Sequence, residues 1–590
     1  MKKILFSFTL FLAATAGLAD NRSLSEMQAI AASKLGSATA AVKGVNGSSA
    51  LTPTLLRVAD DAAYSIFTPE QGDGFVIVAK STLSAPVIGY SKGRYDADNL
   101  PPAFRWYLSE VSRNLQDVEN GMRRAPQRAA TYTPVENFIT TQWSQEYPFN
   151  QKTPNNYPAG CVATALAQCL NYYQYPASAK FTGTYELTTK VGQKTKTERK
   201  SEEVSTTYTW PYKDNYKNFG KYGDNIDELL RDCGYATYME YSKDGSGTVG
   251  YLVGIALTKT FGYPEESIKL HYLSWVGYDA ETWNQLIYDE LGRRCPVLYG
   301  AGSETFGGHA FIFSGIDDEG KVYVNWGWRG TADGFFDIWL LTPKQGTTTI
   351  NFDLNHHMVY GIRPTALPTD RIETRIYSIS GNAFTFRWGT SEDNDGVEHN
   401  TLYCDLPYGF INTCPSDFKG VFGIFGQDLT DGTSWVIADD LQDRDTIPAG
   451  YGYGGGSEQY KDFYFYYWID GEKGLKPGHT YHMSFGTKDD REGTWHSILG
   501  QGEVGYKITY TGDPATSTIE EENIGLPVLT GIHAPSAAMN KPGSDGLTRV
   551  FDTSGRLVYA APDSQFNLWE VPAHGILVVK QGSQVRKVVR

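Results

Sequence analysis

Hydrophobic positions recur along this chain with two different periods, and the change from one to the other maps its organisation. In 161-CVATALAQCLNYY-173 the apolar residues Val162, Leu166, Leu170 and Tyr173 fall three to four apart, which predicts a helix stopped by Pro176. The same spacing at Phe104, Leu108, Val111 and Leu115, after Pro101-Pro102, predicts another, and 226-IDELLRD-232 and 281-ETWNQLIYDEL-291 two more. Short runs rich in β-branched and aromatic residues predict strands at 64–67, 75–78, 296–300, 310–316 and 321–326. Beyond residue 364 the helical period disappears. Phe384, Phe386 and Trp388 alternate, and 462-DFYFYYWID-470 is a strand run set off by the glycine cluster 452-GYGGG-456.

These changes of pattern divide the chain. Lys2 and Lys3, an apolar run and Gly17-Leu18-Ala19 have the three-part form of a secretory signal peptide, expected over residues 1–19. Residues 20–132 read as a small α+β unit ending in the basic, aperiodic stretch 121-GMRRAPQRAATYTP-134, a linker in which Arg123, Arg124 and Arg128 invite proteolysis. Residues 133–364 mix helices and strands in a two-part α/β region. Inside it, 186–208 is polar and charged, the pattern of a long hairpin or mobile loop with a solvated face. Residues 365–512 predict a β-sandwich-like domain, 513–525 a linker and 526–590 a last small β unit.

Composition narrows the function. A chain of 590 residues exceeds one hydrophobic core. A formal charge of -15 argues against nucleic acid or an anionic membrane surface as partner, and no run after the signal peptide is long and apolar enough for an integral membrane span. Export exposes the six cysteines (161, 169, 233, 295, 404 and 414) to oxidising conditions; they are too sparse for a disulfide scaffold, although Cys404 and Cys414 are close enough to pair. Neither HExxH nor paired CxxC is present, so no metal or other cofactor is expected.

Cys161 carries the candidate chemistry. Gly160 lets the backbone turn sharply into the helix, and the first-turn amides and the positive end of the helix dipole favour a thiolate there. A lone cysteine at such a place is more often a packed hydrophobe, so its companions decide. A cysteine nucleophile needs a base, an orienter for the base and oxyanion donors. His309, in 307-GGHAFIFSGID-317, precedes a strand with two glycines leaving its ring open; His356-His357 is the other histidine pair nearby. Asn325, in 325-NWGWRG-330, lies on the next strand, where a neutral amide can orient an imidazole; Trp326 and Trp328 can shield the pair, or simply pack a turn. The segment 142-QWSQEYPFN-150 adds two glutamines upstream, one of whose amides can face an oxyanion.

The order Gln, Cys, His, Asn is that of papain-like peptidases. More closely, WSQEYPFN, AGCVATALAQ, 227-DELLRDCGYATYMEYSKDGSG-247, GGHAFIFSGID and VNWGWRGTADGFF are similar to the streptopain family of cysteine peptidases, including its interpain-type members, and 86-PVIGYSKGRYD-96 resembles that family's prodomain. The resemblance implies an α+β fold: a papain-like two-lobed peptidase domain over 133–364, preceded by an α+β prodomain and followed by β-sandwich-like domains. It implies Cys161 as nucleophile, His309 as base, Gln145 as oxyanion donor, and Asn325 with Trp326 as the supporting pair. It also implies a zymogen whose prodomain inhibits it intramolecularly, and an endopeptidase that hydrolyses protein or peptide substrates through an acyl-enzyme, favouring a hydrophobic P2 side chain. The 186–208 insertion departs from the family and bears on the cleft rim. At the C-terminus, 549-RVFDTSGRLVY-559 with 574-HGILVVKQGSQVRKVVR-590 is similar to sorting domains of the bacterial type IX secretion pathway. That implies the secretion machinery as a partner and a secreted or cell-surface location reached through the periplasm. A papain-like transglutaminase or cell-wall amidase is the enzymatic alternative, against which the NWGW segment speaks. A catalytically silent, adhesin-like binding protein is the other, against which the intact Cys161, His309, Asn325 and Gln145 speak.

Overall fold

The computed structural model describes residues 21–40, 54–122, 132–191, 194–212, 225–273, 278, 280–303, 307–341, 356–378, 384–405, 410–437, 445–453, 464–470, 474–493, 495–498, 505–522, 547–552, 557–562, 576–581 and 584–589. The expected signal peptide, most of the basic linker and the segment 523–546 lie outside these residues. The helices are α1 (Leu24–Ala40), α2 (Pro102–Glu119), α3 (Cys161–Tyr173), α4 (Ile226–Ala236), α5 (Tyr251–Ile255) and α6 (Ala280–Gly292). The first strands are β1 (Leu55–Asp60), β2 (Tyr64–Pro69), β3 (Phe75–Ala79), β4 (Val87–Ser91), β5 (Ser178–Val191), β6 (Lys194–Thr207) and β7 (Glu240–Ser242). They are followed by β8 (Lys269–Tyr272), β9 (Val297–Ser303), β10 (Gly307–Ile316), β11 (Val322–Asn325), β12 (Gly334–Phe336) and β13 (His357–Tyr360).

Local chemistry explains the helix ends. Pro102 opens α2, where a missing N–H leaves no hydrogen bond unmade, and the stripe Phe104, Leu108, Val111 and Leu115 is buried throughout. Gly160 precedes α3 at φ 90°; a Cβ there would stand 2.9 Å from the Met239 sulfur and 3.1 Å from the Ser246 carbonyl, so only glycine fits. Gln174, left-handed at φ 53°, returns its N–H to the carbonyls of Asn171 and Leu170 and ends the helix two residues before Pro176.

The chain forms two compact units. The first comprises Met1–Pro134, Ile316–Trp326 and Thr331–Lys344. Its strands run β1-β2-β3-β4-β12-β11, all antiparallel, with Phe335 opposite Tyr90 and Val322 opposite Phe336. Helix α1 lays Met27, Ala31 and Leu35 against Phe67, Val76, Val78 and Val87. Helix α2 adds Phe104 and Tyr107, whose rings lie 5.3 and 5.2 Å from that of Phe336. The sequence reading divides the chain at residue 132, whereas this sheet draws on both sides of that point: the edges of β12 are satisfied by β4 and β11.

The second unit comprises Val135–Gly315, Gly327–Gly330 and Gln345–Arg590. Strands β10, β9, β13 and β8 lie side by side, antiparallel. The polar 186–208 segment belongs to a hairpin, β5 pairing with β6 from Ser178–Thr207 to Val191–Lys194, with β7 parallel to β5. Its outer strand is almost wholly exposed, as its charges require. Past Tyr360, a sheet of Thr385–Glu392, Glu398–Asp405 and Tyr464–Trp468 shares one core with a sheet led by Phe418–Asp428, His479–Asp489 and Gly505–Tyr510, through Phe386, Leu402 and Phe465 on one side and Phe422, Phe485 and Ile508 on the other. Thr518–Glu522, in the segment expected to be linker, instead pairs along Gly505–Tyr510 as a strand at the end of its sheet; its charged TIEEE sequence suits an exposed strand and hides it from a hydrophobic-pattern search. Leu547–Asp552, Leu557–Pro562, Ile576–Gln581 and Gln584–Val589 form a final antiparallel sheet. Cys404 and Cys414 do not pair. Cys404 is buried in the shared core, and the Cys414 sulfur accepts the Arg375 N–H at 2.8 Å.

Charged groups tie the α/β part of this unit to the sandwich. His271 Nε2 lies 3.0 Å from Glu373, Arg375 lies 3.1 Å from Glu373 and 3.4 Å from Glu492, and His496 Nε2 lies 2.7 Å from Glu492. Burial pushes the Glu373 carboxyl up, but the Arg375 guanidinium and His271 outweigh it and hold the group well below the usual carboxylate range. Thr258 donates to the Pro415 carbonyl at 2.6 Å, and Lys259 reaches Asp417 at 3.2 Å. Arg375→Met therefore leaves two carboxylates without their shared cation and is expected to lower stability by ~2–3 kcal/mol, less than the penalty of a wholly buried unpaired charge. A carboxyl depressed in the folded state stabilises above its ordinary pKa and ceases to as pH falls through the folded value, so the deficit should shrink in acid. Thermal unfolding of both chains, with Cys161→Ala to prevent self-digestion, checks this; equal melting temperatures at pH 7 refute it.

Candidate active site

Helix α3 begins at the proposed nucleophile, and its first turn is tightened by Thr164, whose N–H and hydroxyl both donate to the Gly160 carbonyl, at 3.1 and 3.0 Å. The Ala310 N–H donates to the Cys161 sulfur at 3.4 Å. Ala310 directly follows His309, so the start of β10 delivers the imidazole-bearing residue to the wall of the same cleft. That cleft measures about 420 Å3 and is lined by Cys161 and His309, with Val249, Tyr272, Ala301 and His357 around them. Burial pushes the Cys161 thiol up, while the N–H groups of Ala310, Val162 and Cys161 itself pull it down without cancelling the effect. Helix-end amides thus assist a thiolate but do not create one. His309 and His357 are the two imidazole side chains that line this cleft with Cys161.

The upstream glutamines separate. The Gln145 carbonyl accepts the Ala159 N–H at 2.7 Å, which fixes that residue against the loop entering Gly160 and Cys161. Its neighbours are anchored as well: Trp143 accepts the Arg329 N–H at 3.1 Å, and Ser144 forms a bridge with Trp328. Gln142 is exposed and lies against Gly330, where a Cβ would meet its side chain at 2.7 Å.

Asn325 and Trp326 fall in the first unit, Asn325 as the buried last residue of β11. Trp326 is locked by its own surroundings: its indole N–H donates to the Ala332 carbonyl at 3.0 Å, and its ring lies 5.5 Å from Phe104 and 5.9 Å from Tyr107 of α2. The backbone N–H of Trp326 donates to Asp333 Oδ1 at 2.9 Å. Sequence reasoning does not mark Asp333, because a single carboxylate in the Gly-rich run RGTADGFF reads as turn chemistry; yet it is buried, and burial, only partly offset by the Trp326 N–H, raises it to about 7.

Among the described residues, one group has the spacing of metal ligands, Asp428, Asp431 and His479, whose ligand atoms lie within 4.8 Å of one another. Lys476 pairs with Asp431 there, and His479 Nδ1 lies 2.7 Å from Asp428 Oδ2, so the three side chains already have protein partners. No helix of the described residues is long and apolar enough to cross a membrane.

Residues 143–336 match the model of the Peptidase C10 family, and residues 23–115 match that of the Spi protease inhibitor. The thiol protease/hemagglutinin PrtT of Porphyromonas gingivalis is 29% identical over 333 residues, covering 52% of this chain and 37% of that protein. Streptopain of Streptococcus pyogenes is 28% identical over 318 residues, covering 49% of this chain and 78% of its own. Among solved structures, a prointerpain A fragment of Prevotella intermedia is 27% identical and covers 53% of this chain and 100% of that one, at a TM-score of 0.46. The family matches end at residue 336 and leave the sandwich and the C-terminal sheet outside them.

Asp333 generates a test of the geometry around Trp326. A carboxyl raised in the folded state contributes stability below its unfolded pKa and loses it as pH rises through the folded value, here about 7. Asp333→Asn keeps an oxygen for the Trp326 N–H and cannot ionise. Its melting temperature relative to the parent is expected to be higher at pH 8 than at pH 5; a difference independent of pH would count against a buried proton at this position.

Proposed function

From a chain whose residues 143–336 fall in the Peptidase C10 family, a family of cysteine peptidases, we propose a secreted endopeptidase, made as a zymogen, in which Cys161 and His309 cleave peptide bonds. The observation that carries this reading is the Ala310 N–H on the Cys161 sulfur, next to His309 on a shared cleft. In the proposed reaction His309 holds Cys161 as a thiolate, and the sulfur attacks the scissile carbonyl. The oxyanion is met by the Cys161 N–H and the Gln145 side-chain amide. Collapse of the tetrahedral adduct breaks the C–N bond, with His309 protonating the departing amine. Water, deprotonated by the same imidazole, then hydrolyses the thioester and restores the thiol. Asn325 orients the imidazole and Trp326 steadies Asn325. A hydrophobic P2 side chain follows from the family resemblance.

The prodomain over 20–132 is the intramolecular inhibitor in this reading, supported by the Spi inhibitor match at 23–115. Export is supported by the signal-peptide pattern of residues 1–19. The terminal sheet is assigned to sorting through a type IX pathway on the motif resemblance of 549–559 and 574–590.

Iodoacetamide is expected to label Cys161 and abolish proteolysis of casein, and mass spectrometry finding the label only at Cys169, Cys233 or Cys295 would sink the assignment. His309→Ala should lose several orders of magnitude in kcat/KM and Asn325→Ala less. Gln145→Ala should lose about 10²–10³-fold in kcat with KM little changed. Wild-type chain should shorten within 123–133, while Cys161→Ala remains uncut until active enzyme is added. Amine incorporation without hydrolysis would point to a transglutaminase instead.

A further inference from the structure

One stretch of the cleft lining, Ser246 to Gly250, belongs neither to α3 nor to β10. It follows β7, to which Gly247 is bridged: its N–H donates to the Glu240 carbonyl at 3.1 Å, and its carbonyl accepts the Glu240 N–H at 2.9 Å. It then runs straight into α5. Gly247 and Gly250 bring no side chain to pack, and Val249 is 49% exposed. The position of this wall therefore depends on α5, which is five residues long and continues as the π turn Ala256–Thr260. A helix so short has no stability by itself, so whatever packs on it sets where it lies.

The β-sandwich packs on it. Gly254 of α5 lies under Pro415: a Cβ there would stand 2.9 Å from Pro415 Cγ, with Ile268 Cγ2 and Pro415 Cβ both at 3.6 Å. A second close approach comes from Gly450, whose Cβ would stand 3.1 Å from Ile255 Cδ1. Polar contacts continue along the π turn, a kind of element that recurs at functional places. The Thr258 hydroxyl donates to the Pro415 carbonyl at 2.6 Å, and Lys259 lies 2.9 Å from Glu265 and 3.2 Å from Asp417. Arg491 lies 3.5 Å from Glu265 and 2.9 Å from Asp489, and the Ala449 N–H donates to Asp417 at 3.0 Å. Partly exposed ion pairs of this kind add little stability. They supply register between the two elements, while the steric seat at Gly254 fixes their separation.

We propose that the β-sandwich buttresses the cleft: Pro415, seated on Gly254, is a positioning residue that holds α5, and through it the Ser246–Gly250 wall, in place for substrate binding. This rests on the peptidase reading in taking the cleft as the substrate's, and it gives the sandwich a part in binding that needs no contact with substrate. Cys161 and His309 stand on α3 and β10, so a displaced α5 alters how substrate is held and leaves the thiol's own reactivity alone. Ordinary carbon–carbon contact begins at about 3.5 Å, so a Cβ on Gly254 would part α5 from Pro415 by roughly half an ångström. Displacements of that order weaken a well-fitted site by about tenfold.

The test is a wedge and its relief, in the full-length chain after self-processing. Gly254→Ala should raise KM for a peptide substrate about tenfold, with kcat and the rate of Cys161 alkylation by iodoacetamide within about threefold of the parent. Alanine is the better helix former, so helix propensity does not account for such a loss. Pro415→Ala removes Cγ, the atom that the new methyl meets, so Gly254→Ala/Pro415→Ala should bring KM back to within about threefold. Amide hydrogen exchange over 246–253, measured with Cys161→Ala to prevent self-digestion, should quicken in the single variant and slow again in the double. Should Gly254→Ala fail to fold, Thr258→Val, which removes the hydroxyl on the Pro415 carbonyl, should move KM and exchange in the same direction. Unchanged KM or unchanged exchange, or parallel losses in kcat and alkylation that Pro415→Ala does not relieve, overturns the proposal. Faster exchange relieved by Pro415→Ala, in a chain that hydrolyses no peptide, would fail the peptidase reading and leave the buttress standing.

Discussion

The contact between the Ala310 N–H and the Cys161 sulfur joins two elements that are far apart in the chain, the first turn of α3 and the start of β10. It constrains both. Helix α3 must begin at Cys161, which requires Gly160 at φ 90° with Met239 and Ser246 packed too closely for any side chain. Strand β10 must keep its register with β9, because a slip of one residue would turn His309 to the other face of the sheet. The same contact shapes the electrostatics. It is one of three backbone N–H groups that pull the thiol down against burial, and the residue before Ala310, His309, lines the same cleft.

Close approach through missing side chains recurs around the cleft. Gly160 admits the sharp turn into the helix that begins at Cys161, and Gly250 and Gly300 leave room for His357. Side-chain volume here is placed on one strand and removed from the next, so the cleft is shaped by sheet register as much as by the residues that line it. In the first unit the motif around Asn325 and Trp326 is held in a different way, by aromatic packing on α2 and by a buried carboxyl, Asp333, that the Trp326 N–H only partly satisfies electrostatically.

The sandwich beyond residue 364 is joined to the proposed catalytic region at strand β8. His271 faces Glu373 of the connecting segment, while Tyr272, the next residue, lines the cleft. A single strand thus has one side chain in a charge network and the next on the wall of the cleft. The segment leading into the C-terminal β region thus pairs with a strand whose next residue lines the cleft.

Helix and strand periods and the glycine before Cys161 are local features, so sequence alone determined the helix that begins at Cys161, the α2 stripe and the alternating strands, and its ordered Gln, Cys, His and Asn motifs supplied the residues on which the proposed mechanism rests. What it left undecided depends on partners distant in the chain. Whether 186–208 is a hairpin or a mobile loop rests on pairing between β5, β6 and β7, and Thr518–Glu522 is a strand only because Gly505–Tyr510 offers its edge. The sheet of the first unit, with β12 between β4 and β11, crosses the boundary that composition suggested. The buried state of Asp333 and the place of His357 on the cleft that Cys161 lines have no local signal, because a carboxylate's proton affinity and a cleft's lining are set by atoms that only the fold brings near.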